Sequence, residues 1–151
     1  MNNGFPPDQL AKLGELFTRS VPHNQALGMQ FVELTAERAL LDLPYREELV
    51  GNPETGVIHG GAITTLLDAT CGTAVLGRLQ KRVQRVATLD LRIDYLKPAT
   101  PGRTVRAEAT CFRVTRHVAF VRASAYHDPE DPVASAAGTF VIFLMPEEAK
   151  Q

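Results

Sequence analysis

His59, Gly60, Gly61 and Asp68 fall within ten residues of one another, and their types and order suggest chemistry at a carbonyl carbon. Between His59 and Gly77 there is no Lys, Arg or Glu, and Asp68 is the only carboxylate. A helix over this stretch, about residues 60–77, has no charged face to offer water and is therefore expected to be buried. Asp68 then sits in low dielectric with no cation on its own helix, a costly placement. Burial raises a carboxyl pKa toward that of a useful general base, which makes such a group a functional-site candidate. The paired glycines leave backbone N–H groups sterically bare at the helix N-terminus, where the positive end of the dipole adds to them. That is a cradle for a developing oxyanion. The alternative is that Gly60 and Gly61 simply make the loop-to-helix turn.

Spacing decides how these groups can work together. Gly60 and Asp68 are eight residues apart, roughly 12 Å along one helix, whereas one reacting carbonyl needs both within about 3 Å. A single chain cannot supply both to one site. Two antiparallel copies of the helix across a two-fold axis can, with Asp68 of one opposite Gly60 of the other. The stripe Gly61, Thr64, Asp68, Cys71, Gly72 and Val75 is small-sided, as close approach of a second backbone requires. Tight packing on the chain's own sheet would account for the same stripe. The geometry predicts a homodimer with two equivalent sites, each built from both chains, and a dimer of dimers is the alternative assembly.

The elements that must hold this helix are legible on both sides of it. Pro7 to Arg19 carries Leu10, Leu13, Leu16 and Phe17 at helical spacing, so a short amphipathic helix over about residues 7–19 is predicted. Residues 20–27 read as connection. Gly28 to Thr35 and Arg38 to Pro44 read as strands, and Pro44 to Ile58 as a polar loop with Gly51, Asn52, Pro53 and Gly56 as turn residues. Past a basic turn, Val86 to Leu96 alternates: Ala87, Leu89, Leu91, Ile93 and Tyr95 on one face, Thr88, Asp90, Arg92 and Asp94 on the other. Thr104 to Val114, His117 to His127 and Val133 to Leu144 complete the strands. The order predicts an α+β domain spanning 1–151, a six-stranded antiparallel sheet wrapped around one long helix. Its open edge predicts strand pairing with a second copy.

Composition excludes several classes. At 151 residues, 44% hydrophobic and 22% charged, the chain is an ordinary globular domain. A formal net charge of -1 argues against nucleic-acid binding. Cys71 and Cys111 are too few for a disulfide framework and lie in apolar runs, as reduced buried thiols of a cytoplasmic protein would. No Cys/His cluster suggests a metal. The N-terminal stretch has no signal-peptide pattern, and the longest apolar run is too short to cross a membrane.

The run from Asn52 through His59-Gly60-Gly61 to Asp68, with Leu27-Gly28-Met29 before it and Thr88 to Ala99 after it, resembles the PaaI-type hotdog-fold acyl-CoA thioesterases of the 4-hydroxybenzoyl-CoA thioesterase superfamily. The likeness spans roughly residues 20 to 145. It implies a hotdog fold and hydrolysis of an acyl-CoA by a homodimer, with Asp68 as general base or nucleophile and the Gly60 N–H on the thioester oxygen. It implies that Asn52 helps hold the thioester or water and that Thr88 orients the water, with the partner chain covering the polar face on which Thr88 is placed. Asn52 stands seven residues before His59, one more than the family spacing. His59 is a candidate base, with bracing of the loop as the stronger alternative. His23, His117 and His127 read as surface or strand-edge histidines.

Thioester hydrolysis itself asks for a base or nucleophile and an oxyanion hole, and a thiolate leaves readily, so no cofactor beyond the CoA of the substrate is expected. The CoA phosphates would need cations, and Gly61, Arg82, Arg85, Lys97 and Arg116 are the candidate substrate contacts. Two other classes compete. A hotdog dehydratase or hydratase relies on a His and an acid in a different arrangement, and a non-catalytic acyl-CoA-binding module gains nothing from a carboxylate at the helix centre.

Overall fold

The computed structural model describes residues 4–80 and 83–144. An antiparallel sheet with one apolar face needs a cover, and a helix with so few charged residues needs burial on most sides. Each meets the other's need. Helix α3 (Gly60–Leu79) lies in the concave face of a six-stranded antiparallel sheet. The strands are β1 (Gln30–Leu34), β2 (Ala39–Leu43), β5 (Val83–Tyr95), β6 (Val105–Val114), β7 (Val118–Tyr126) and β8 (Pro132–Leu144), in the order β1-β2-β6-β7-β8-β5. This is the hotdog architecture, and β1 and β5 are its two edges. Among the described residues, no helix is long and apolar enough to cross a membrane.

The core forms on both sides of α3. Ile63, Leu66 and Leu67 pack with Leu41, Leu43, Val105 and Val133, while Cys71, Ala74 and Val75 pack with Leu34, Val121, Phe140 and Ile142. Threonines are accommodated in the buried helix because each hydroxyl donates to the carbonyl four residues back, as Thr70 does to Leu66 (2.7 Å) and Thr73 to Ala69 (2.8 Å). At its far end α3 crosses the β1–β2 connection so closely that a Cβ on Gly77 would stand 2.5 Å from the Thr35 carbonyl oxygen. No side chain fits there.

Several expectations need correction. The first helix, α1 (Pro7–Ser20), buries Leu10, Gly14 and Thr18, a stripe at four-residue spacing, and leaves Leu16 65% exposed. Gly14 has no side chain because the Phe31 ring of β1 occupies that space. Residues 20–27 are more than a connection: Pro22 opens a one-turn helix, α2 (Pro22–Ala26), which packs on α3. The 44–58 loop contains a 3-10 turn (Glu47–Leu49) and a small hairpin of β3 (Val50–Asn52) and β4 (Val57–Ile58). Asn52 and Gly56 build that hairpin's turn, which is why they look like loop residues in sequence.

Candidate active site

The entrance of α3 is assembled by its own backbone. His59 is the N-cap, and its Nδ1 accepts the Gly61 N–H at 2.8 Å, so the neutral ring carries its hydrogen on Nε2. The His59 carbonyl accepts from Ala62 N–H at 3.0 Å. In a trans peptide the N–H opposes the carbonyl, so the Gly60 N–H points out from the helix end. It has no partner among the described residues. The Tyr95 hydroxyl, at 2.9 Å, and the Thr64 hydroxyl, at 3.1 Å, both lie within donating distance of the Gly60 carbonyl and also meet each other, so their two hydrogens are shared among three contacts. His59 thus braces the loop, and Gly61, a candidate substrate contact, has already spent its N–H on that brace.

Asp68 lies two turns further along. It is half-buried rather than sealed in the core, which corrects the expectation of a carboxylate enclosed on every side. The Thr88 hydroxyl donates to Asp68 Oδ1 at 2.7 Å. Its other oxygen, Oδ2, has no partner among the described residues. Strict alternation put Thr88 on the outer face of β5, away from the helix. The register shows otherwise: Thr88 pairs with Phe140 and Asp90 with Thr139, leaving Leu89 as an extra residue. This bulge reverses the parity of the strand. Val86 and Thr88 before it, and Leu91, Ile93 and Tyr95 after it, all face α3, while Leu89 is 58% exposed. Thr88 therefore reaches Asp68 within one chain.

Apart from its last two residues, Arg78 and Leu79, the open part of α3 is a single stripe. Gly60, Gly61, Thr64, Thr65 and Asp68 are not buried, whereas thirteen other residues of the helix are. Two cavities flank this stripe. One, of about 200 Å³, has Thr65, Asp68 and Thr88 in its wall along with His23 and Asn24 of α2. Its far end runs under the rings of Phe17 and Phe140, which lie over Gly72. The other, of about 330 Å³, is lined by His59, Gly61, Leu49 and Val50, and shares His23 and Thr65 with the first. Burial, reinforced by the Asp68 charge, pushes the Cys71 thiol up to about 12, so this cysteine is an inert neighbour.

The remaining candidates are dispersed. Asn52 is exposed, and its Oδ1 accepts the Glu54 N–H at 3.0 Å within its own turn, on the His59 side of the molecule and in neither cavity. Arg85 lies at one end of β5, stacked 4.3 Å over the Phe143 ring. Lys97 follows the other end and is paired with Asp131. Twelve residues of extended strand separate them, roughly 40 Å. Arg116 is exposed in the β6–β7 turn, and Arg82 lies outside the described residues. Sequence reasoning missed Tyr95, read only as part of the apolar face of an alternating strand, and His23 and Asn24, read as connection. The Pro22 before them was the available signal.

Residues 55–134 match the thioesterase superfamily. A medium/long-chain acyl-CoA thioesterase of Escherichia coli, YigI, is 32% identical over 148 residues, covering 89% of this chain and 95% of the relative. A crystal structure of a Pseudomonas aeruginosa protein superposes with a TM-score of 0.79 at 43% identity, covering 87% of this chain and 98% of that one. The PaaI protein of the Escherichia coli phenylacetic acid degradation operon superposes with a TM-score of 0.78 at 16% identity, covering 91% of this chain and 96% of its own, which is a likeness of fold.

Proposed function

This chain belongs to the thioesterase superfamily, and from that premise we propose that it hydrolyses an acyl-CoA thioester as a homodimer, each site taking Asp68 from one chain and the Gly60 N–H from the other. The observation that carries this reading is the open stripe of α3, from Gly60 to Asp68, left uncovered in a helix that is enclosed from Ala69 to Gly77. A second α3 laid antiparallel on that stripe covers it and brings the two unpartnered groups, Asp68 Oδ2 and the Gly60 N–H, to a common carbonyl. The β5 edge beside it is free to pair with its copy, extending the sheet.

Asp68 acts as general base. Its Oδ2 takes a proton from water as the water oxygen adds to the thioester carbon. The carbonyl electrons move onto oxygen, where the Gly60 N–H and the dipole of α3 stabilise them. Collapse of the tetrahedral intermediate breaks the C–S bond, and the thiolate takes the proton from Asp68. Thr88 holds the carboxylate in orientation through Oδ1. The reaction requires no metal or redox group, and the CoA is part of the substrate. The two-fold that carries Gly60 to Asp68 also carries Lys97 toward Arg85 of the other chain, a suitable path for the CoA phosphates.

Thiol release from short, long and aromatic acyl-CoAs, wild type beside Asp68→Asn, tests this. Turnover is expected for wild type, with a loss of about 10²- to 10⁴-fold in a folded Asp68→Asn. Tight CoA-ligand binding without turnover would replace the enzyme by a binding module. Turnover unaffected by Asp68→Asn would remove Asp68 from the reaction.

A further inference from the structure

Asn24 is a polar residue left without a partner where polar residues are normally satisfied. It is 4% exposed. Its backbone is engaged, since its carbonyl accepts the Met29 N–H at 3.0 Å. Its side-chain amide makes no hydrogen bond with any described residue. Among the described residues, no side-chain nitrogen or oxygen that is sealed from solvent lacks a partner, so this amide is not entombed. It opens on the cavity whose wall it forms with Asp68 and Thr88. A buried amide that forgoes its bonds destabilises the free protein unless something in the cavity bonds to it.

We propose that Asn24 is a positioning residue that holds the hydrolytic water against Asp68. The proposal rests on the thioesterase reading above. With Oδ1 of Asp68 occupied by Thr88, Oδ2 is left for one O–H of the water. The Asn24 side-chain carbonyl accepts the other O–H, which aims a lone pair at the thioester carbon. The proton passes to Asp68 Oδ2 as the new C–O bond forms, and then to the departing thiolate, while the second hydrogen stays on the product acid. Both water hydrogens are accounted for, and neither Asn24 nor Asp68 is consumed. A cavity of about 200 Å³ has room for several waters at roughly 30 Å³ each. Holding one of them in line is what separates attack from mere wetting.

The test is Asn24→Leu, close in size and unable to hydrogen-bond, assayed in the full-length protein beside wild type. The expected result is a kcat lowered about 10- to 100-fold with KM changed less than about threefold, and a Tm little changed, because the amide makes no hydrogen bond to any described residue that the substitution would break. Hydroxylamine added as a second nucleophile should shift the products from free acid toward hydroxamate in the variant. A structural role predicts loss of activity together with a lowered Tm and an unchanged acid-to-hydroxamate ratio, and would overturn the proposal. So would wild-type kcat in the variant, or a loss confined to acyl groups bearing a hydroxyl, which would make Asn24 a reader of the acyl chain. If wild type releases no thiol from any acyl-CoA, the thioesterase reading itself fails and this one with it.

Discussion

At the scale of the residue, the chemistry turns on which hydrogen-bonding groups are already spent. Gly61 gives its N–H to His59, while Gly60 keeps its own. Asp68 commits one oxygen to Thr88 and keeps the other. Asp68 and Gly60 stood out in sequence because a lone carboxylate and a glycine pair are unusual in so apolar a helix. Tyr95, His23 and Asn24 did not, because a tyrosine in a strand or an asparagine in a short connection is ordinary until one sees what lies beside it. Cys71 carries a separate consequence. Its thiol is raised from 9.0 to about 12 by burial and then by the Asp68 charge, and Cys111 and Tyr126 are raised as well, chiefly by burial. The folded protein therefore retains protons that the unfolded chain releases above about pH 9, so stability should fall as pH climbs from there toward 12. Urea unfolding at a series of alkaline pH values should show this decline, and Cys71→Ala should flatten it.

At the scale of the element, β5 decides the site. Its alternating pattern announced a strand, and a strand forms, but the pattern also announced a face for Thr88 that the Leu89 bulge reverses. A bulge costs one residue and leaves no compositional mark, so alternation cannot reveal it. Excising Leu89 restores strict alternation, which must turn one half of β5 over against the other. The expected outcome is loss of thiol release and a lowered melting temperature, read by turnover and circular dichroism. Retained activity would mean that Thr88 need not face Asp68. The β3–β4 hairpin and α2 escaped notice for a related reason, since two or three paired residues and a single helical turn are too short to show a period.

At the scale of the whole molecule, the claim open to a decisive experiment is that each site is shared. Gly60 is the first residue of α3, a position that tolerates proline, so Gly60→Pro removes the N–H with little other disturbance. Asp68→Asn and Gly60→Pro should each be inactive alone. Co-expressed, or unfolded and refolded together, they should recover about a quarter of wild-type turnover, because half of randomly paired dimers are mixed and each mixed dimer has one intact site. No recovery would mean that both groups act from one chain. What the sequence determined by itself was the class of fold, the long apolar helix and its candidate residues, because hydrophobic period, turn chemistry and residue type are local properties that a chain displays without folding. What only the tertiary structure decided was which face of β5 meets Asp68, which N–H remains unspent, and which polar side chain opens on the cavity with no hydrogen bond to the described residues. Those depend on register and on the partners other elements supply, and neither exists until the sheet has closed around the helix.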